Sequence, residues 1–149
     1  MAIERTLIII KPDGVQRGLV GEILNRLERR GLKIVGLDFR TISEETASTH
    51  YGEHKGKGFY DDLIRYITSG PVVAMVLQGE SSIASLRRLC GAAKVEEAMP
   101  GTIRGDFAMH TDMNIIHASD SPASAEREIG LFFKPDEIFA WSDGNDAWI

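Results

Sequence analysis

The sequence predicts a single α/β domain of the α+β kind: a ferredoxin-like βαββαβ arrangement with a four-stranded antiparallel sheet and a helical insertion between strands two and three. Three observations predict it. Four short apolar runs of strand character alternate with stretches of helical periodicity in the order strand, helix, strand, strand, helix, strand. The interval between the second and third runs, Ser43 to Ser69, is long enough for two further short helices. Finally, 149 residues, 43 % of them hydrophobic, supply one core and leave no room for a second folded unit, so 1–149 is read as one domain. No repeat, linker or low-complexity tract interrupts it.

The first strand is Arg5 to Ile10, whose Thr6-Leu7-Ile8-Ile9-Ile10 core is broken by Lys11-Pro12-Asp13-Gly14. A helix follows over Val20 to Arg30, with Val20, Ile23, Leu24 and Leu27 as its buried stripe and Gly31 as its stop. Lys33 to Thr41 is a strand in which Val35, Leu37 and Phe39 alternate with Gly36, Asp38 and Arg40. The second of the two inserted helices carries Leu63, Ile64 and Ile67. Val72 to Leu77 then reads as a buried strand, and Ser81 to Cys90 as a helix with Ile83, Leu86 and Leu89 or Cys90 inward. Pro100 to Phe107 has no clean periodicity and reads as a long functional loop, and Asn114 to Ala118 is the fourth strand. The last helix has Ser121 as its N-cap, Pro122 at its first position, and Ala125, Ile129 and Phe132 at helical spacing.

Chemistry gathers at three places. His117 sits at a strand end, and Glu128 falls on the apolar stripe of the helix that follows. A carboxylate facing a core needs a charged or hydrogen-bonding answer, and a strand–helix hairpin brings His117 within reach of it. A carboxylate holding one nitrogen of a neutral imidazole leaves the other free to attack an electrophile. A satisfied core histidine at a strand end is the competing reading. The second place is Lys11, at the end of a core strand, where a point charge suits a phosphate but also marks where a strand reaches water. The third is Arg104, framed by Gly101 and Gly105, glycines that let backbone approach a ligand. Arg87 or Arg88 adds charge from the preceding helix, although solvated surface is the commoner fate of either.

These residues resemble the nucleoside diphosphate kinase family from about Glu4 to Trp148. The resemblance rests on Lys11-Pro12-Asp13-Gly14-Val15-Gln16-Arg17-Gly18-Leu19, His50-Tyr51, Ser69-Gly70-Pro71-Val72-Val73-Ala74-Met75, Pro100 to Phe107, and the signature Asn114-Ile115-Ile116-His117-Ala118-Ser119-Asp120-Ser121. It implies that His117 is phosphorylated by a nucleoside triphosphate, with Glu128 as its carboxylate partner and Ser119 in support. It further implies that Lys11, Tyr51, Arg87, Arg104 and Asn114 contact phosphate and ribose, that the base stacks on Phe59, and that Leu63 and Thr111 lie beside it. Relatives often carry an apolar residue at the place of Thr111. The clearest departure is Gly91-Ala92-Ala93-Lys94-Val95 in place of Gly-Ala-Thr-Asn-Pro. Ala93 thus loses a hydroxyl contact to phosphate, on the order of 1 kcal/mol, beside a lysine that brings charge.

The implied reaction is a two-step relay in which neutral His117 takes the γ-phosphoryl group from a triphosphate such as ATP and gives it to a diphosphate such as GDP. Mg²⁺ bridges the outer phosphates, while Lys11, Arg87 and Arg104 hold oxygens on which charge develops. No protein metal ligand is implied. Stacking on an aromatic tolerates any base, so broad nucleotide range follows. The resemblance also implies a hexamer, with a tetramer as the alternative; the C-terminal Asp146-Ala147-Trp148-Ile149 resembles the tail of hexameric relatives.

Other classes fare less well. A formal charge of −5 argues against a general nucleic-acid binder. The single cysteine, Cys90, excludes an internal disulfide, and the N-terminal apolar residues are interrupted by Glu4, Arg5 and Lys11, so neither export nor membrane insertion is expected and the cytoplasm is the default. No Walker A loop occurs. His50 and His54, spaced i,i+4, make half a zinc site without an evident third ligand and read as surface histidines; His110 reads as loop. A binding module is the alternative from another class, because ferredoxin-like domains also bind small ligands or RNA without chemistry. It leaves Glu128 on the apolar stripe unexplained.

Overall fold

The first strand, β1 (Ile3–Ile10), runs through the centre of the molecule because its sequence is apolar on both faces. Leu7 and Ile9 enter one core and Ile8 and Ile10 another, all four fully buried. A strand covered on both sides reads as a continuous apolar run, as this one does. In the computed structural model, which describes residues 2–149, β3 (Pro71–Glu80) pairs with β1 from Ile3 opposite Glu80 to Ile10 opposite Val73. The three-residue β4 (Ile116–Ala118) pairs with the other edge of β1, placing His117 opposite Ile9. β2 (Lys33–Thr41) lies outside β3, with a bulge between Ile34 and Gly36. The order is β2-β3-β1-β4 and every pairing is antiparallel, as the sequence predicts.

Helices cover both faces. On one side, α2 (Val20–Arg29), α5 (Ser82–Cys90) and α6 (Ile103–Phe107) bring Ile23, Leu27, Leu86, Cys90 and Ile103 against Ile8, Ile10, Met75 and Leu77. On the other, α3 (Glu44–His50), α4 (Tyr60–Ile67) and α7 (Pro122–Phe132) bring Ala47, Ile64, Ile67 and Phe132 against Leu7, Ile9, Ala74 and Val76. The starts of α3, α6 and α7 are fixed by Ser43, Thr102 and Ser121, whose hydroxyls accept from the backbone N–H of Thr46, Gly105 and Ser124. Each such cap contributes about 1 kcal/mol.

Three local expectations need correction. Lys11-Pro12-Asp13-Gly14 is more than a strand break: α1 (Pro12–Gln16) forms there, with proline at the position where its missing N–H costs nothing. The second half of Pro100 to Phe107 is α6 rather than loop, and it is too short for periodicity to reveal. The fourth strand starts at Ile116 rather than Asn114, because Ile115 adopts φ 75° and turns the chain before it joins the sheet. Beyond α7 the chain returns along β2, where the Phe139 N–H donates to the Val35 carbonyl and Trp141 Nε1 to that of Ile34. Among the described residues no helix is long and apolar enough to cross a membrane.

Candidate active site

Strand alternation decides where His117 points. Ile116 and Ala118 enter the core under α2 and α5, so the side chain between them faces the α3 and α7 side of the sheet. The chain then turns at Ser121 into α7, which places Glu128 above the strand end. His117 Nε2 lies 2.9 Å from Glu128 Oε1, and Ser119 Oγ donates to the same oxygen at 2.6 Å while accepting from the Leu7 N–H at 3.2 Å. Burial works to raise the carboxyl pKa of Glu128, but the hydrogen bonds from His117 and Ser119 outweigh it and hold the group below its ordinary range. An ionised carboxylate only accepts, so His117 carries its proton on Nε2. Nδ1 is left with a free lone pair.

Three cations gather around β4 and the turn before it. Lys11, at the junction of β1 and α1, donates through Nζ to Asn114 Oδ1 at 2.8 Å. Burial, helped by the nearby Arg104 charge, pushes its pKa down to about 8, against the pull of Asp13. Arg104 is 5 % exposed and donates to three backbone carbonyls: Asn114 at 3.3 Å, Gly91 at 2.8 Å and Ile116 at 2.6 Å. It therefore builds the turn before β4 as well as charging it. Gly91 sits at φ 84°, and a Cβ at Gly105 would run into the Met99 carbonyl, so the arginine needs both glycines around it. Arg87 is largely exposed and reaches the Ala118 carbonyl through Nη1 at 3.1 Å.

The turn itself is strained. A β-branched residue in the left-handed region costs on the order of 1–2 kcal/mol, and Ile115 stays there because neighbours hold both of its backbone groups. Its carbonyl accepts from the Lys11 N–H at 2.7 Å, and its N–H donates to Asp13 Oδ2 at 3.1 Å. The other Asp13 oxygen accepts from the Tyr66 hydroxyl. Sequence reasoning gave neither Asp13 nor Tyr66 a role; the signal was an acid inside an otherwise accounted-for Lys-Pro-Asp-Gly stretch.

The inserted helices supply a run of rings. Phe59, half exposed, lies 5.3 Å from His54, His54 lies 6.3 Å from Tyr51, and His50 stands 4.5 Å from Tyr51 and 4.8 Å from His117 between centroids. The Tyr51 hydroxyl is buried with no partner, a donor aimed at nothing in the protein. His54 is exposed enough to keep its reading as a surface residue, but His50 is not: it is 8 % exposed, and burial beside His117 pushes its pKa down to about 3. The i,i+4 spacing was blind to this because it compared His50 with His54 rather than with a residue 67 positions away. Leu63 is half-buried against the core under the insertion. Thr111 accepts from the Val95 N–H at 3.1 Å and so pins the turn after Lys94, while the exposed Ala93 offers its carbonyl to Asn114 Nδ2 at 3.4 Å.

The chain is similar over most of its length to known proteins. The family model described as nucleoside diphosphate kinase matches residues 4–138. A nucleoside diphosphate kinase of Moorella thermoacetica is 62 % identical over 138 residues, covering 93 % of this chain and 99 % of its own. Among solved structures, a halophilic nucleoside diphosphate kinase from Halobacterium salinarum in complex with CDP superposes with a TM-score of 0.96 at 50 % identity, over 99 % of this chain and 98 % of that one. A transition-state mimic of the Borrelia burgdorferi enzyme with vanadate and ADP superposes at 0.92 and 38 % identity, over 97 % and 95 %.

Proposed function

The chain belongs to the nucleoside diphosphate kinase family and is a phosphotransferase that moves the γ-phosphate of a nucleoside triphosphate to a nucleoside diphosphate; from that premise we propose which of its residues do the work. His117 is the nucleophile, and the observation that carries this is its 2.9 Å contact to Glu128, which fixes the proton on Nε2 and leaves Nδ1 free. Nδ1 attacks the γ-phosphorus in line as the bond to the β-phosphate oxygen breaks, and the diphosphate departs. The phosphorylated ring then yields its phosphoryl group to an oxygen of the second diphosphate, which restores the free imidazole. Glu128 stays ionised throughout and balances the charge that the ring gains. Ser119 keeps Glu128 in place.

Lys11, Arg87 and Arg104 neutralise oxygens on which charge spreads in the loose transition state. The partnerless Tyr51 hydroxyl donates to a phosphate oxygen, and Asn114, already on Lys11, joins the sugar side. Phe59 offers a half-exposed ring face on which any base stacks, and Leu63 and Thr111 take the places beside the base. This supports a broad range of bases, since stacking on a ring face does not depend on which base is present. Ala93 gives up a side-chain hydroxyl, and the exposed Lys94 beside it offers charge in its place.

The residues present fit Mg²⁺ only as an ion held by the nucleotide. Asp13 is committed through both oxygens to Tyr66 and the Ile115 N–H, and Glu128 through Oε1 to His117 and Ser119 with Arg127 3.8 Å from Oε2, so the two carboxylates do not make the set of several oxygens that a hard cation takes. Bound on the phosphates, the ion supplies neutralisation of their charge. We place the enzyme in the cytoplasm, in keeping with a free, buried Cys90 thiol. We also read it as a hexamer, supported by the exposed apolar side chains of Leu37, Phe39 and Trp148, which a second copy would cover.

Transfer of phosphate from ATP to GDP, measured with Mg²⁺ present, tests the assignment. Wild type is expected to transfer and His117→Ala to lose at least 10³-fold; equal transfer by both would place the nucleophile elsewhere.

A further inference from the structure

His50 closes α3 beside the nucleophile, yet phosphoryl transfer as described gives it no task. It is 8 % exposed, and neither ring nitrogen has a hydrogen-bond partner. Buried polar atoms left unpaired are costly, so two on one ring next to an active site point to something that binds there. Its ring stands edge to face against His117, with planes at 81°. One nitrogen of His50, one of His117 and a carboxylate oxygen of Glu128 all lie within 4.8 Å of one another.

We propose that His50, His117 and Glu128 form a binding site for a borderline divalent transition cation, with Zn²⁺ the best match, and that the bound ion switches the enzyme off. Two imidazoles and a carboxylate form a ligand set that Zn²⁺ favours, with bonds of about 2.0–2.2 Å and a fourth position left for water. Hard Mg²⁺ prefers oxygens and is not held by two ring nitrogens. The His117–Glu128 contact is already close to the spacing of two ligands on one ion, so rotation of His50 completes the set. A cavity of about 200 Å³, lined by Thr49, His50, Arg127, Glu128 and Leu131, opens onto the site and gives the ion a way in. Arg127, whose Nη2 is 3.8 Å from Glu128 Oε2, opposes the cation, which suits a reversible inhibitor better than a resident metal.

The chemistry balances without electron transfer. Zn²⁺ takes a lone pair on His117 Nε2 as the ring proton moves through solvent to Nδ1, so the ring stays neutral and an N–Zn–O bridge replaces the N–H···O hydrogen bond. Nδ1 then carries the proton and has no lone pair with which to attack phosphorus. Nucleotide binding on the Phe59 and Lys11 side is left open, and what is lost is phosphorylation of His117.

The test uses Zn²⁺ alone, titrated into the full-length protein without nucleotide against a chromogenic chelator. Wild type is expected to bind one ion per chain, with at least a tenfold loss of affinity in His50→Leu, His50→Asn and His117→Asn. Asn fills the place of His50 with a polar side chain but is a poor ligand, so agreement between the two His50 variants separates ligation from misfolding. Single-turnover phosphorylation after preincubation with Zn²⁺ is expected to slow at least tenfold in wild type and to be unaffected by the ion in His50→Asn. No Zn²⁺ bound by wild type, or equal binding by the His50 variants, would overturn the site, and binding without slowing would overturn the switch. Failure of the phosphotransfer assignment looks different: phosphorylation of His117 would then be absent without any Zn²⁺.

Discussion

Lys11 is the residue whose environment does most to set the working range of the site. A buried ammonium with Arg104 on one side and only Asp13 as counter-charge holds its proton weakly, and its pKa falls to about 8. Cys90 and the ring of Tyr66, 5.8 Å away, complete its surroundings, and burial pushes the Cys90 thiol up to about 11, so it stays neutral across the same range. The sign follows directly: Lys11 is charged below pH 8 and loses its charge above it, and phosphate oxygens in the cleft favour the charged form. The kcat/KM of the nucleotide donor is therefore expected to fall about tenfold per pH unit above pH 8, while kcat, which reports the occupied site, holds to higher pH. A kcat/KM flat to pH 9.5 would show that Lys11 keeps its charge by other means. At this scale much was legible from the sequence. His117 and Glu128 stood out because a carboxylate on an apolar stripe needs a partner, and the 2.9 Å contact supplies one. His50, Asp13 and Tyr66 did not stand out, because their importance comes from neighbours distant in sequence.

At the scale of elements, the strained turn before β4 is what joins the two halves of the site. Ile115 is kept at φ 75° by the Lys11 N–H on its carbonyl and by Asp13 on its own N–H, so the first and last quarters of the chain meet at one peptide. Asp13→Ala removes the acceptor of two groups at once, the Ile115 N–H and the Tyr66 hydroxyl. Leaving them unanswered is expected to destabilise the fold by about 2–3 kcal/mol, read as a lower midpoint of urea unfolding at unchanged slope. A change below about 0.5 kcal/mol would mean that water or backbone relaxation takes over the contacts. Strands and long helices were readable because burial on one or two faces imposes a period on five to ten residues. The short helices α1 and α6 escaped for the complementary reason: five residues hold barely more than one turn, and what stabilises them is Pro12 at a helix start and Thr102 as a cap.

For the whole molecule, the sign of the net charge says little about the site. The chain carries −5 overall, yet Lys11, Arg87 and Arg104 converge on the end of β4, because the fold sorts charges that the sequence scatters over 93 positions. The sheet order β2-β3-β1-β4 makes this possible: it sets β4 against the edge of β1, so the lysine that ends one strand lies beside the histidine of the other. Element order made that topology legible, whereas the exposed side chains of Leu37, Phe39 and Trp148 belong to a level of assembly that one chain does not display.

The central claim is that Glu128 fixes the His117 tautomer and so chooses which nitrogen reacts. The most direct measurement is ³¹P nuclear magnetic resonance of the protein phosphorylated by ATP, with both phosphohistidine isomers as standards. A single phosphohistidine signal from the Nδ1 isomer, absent in His117→Ala, is the predicted result; phosphate on Nε2, or a phosphohistidine that survives in His117→Ala, would contradict it.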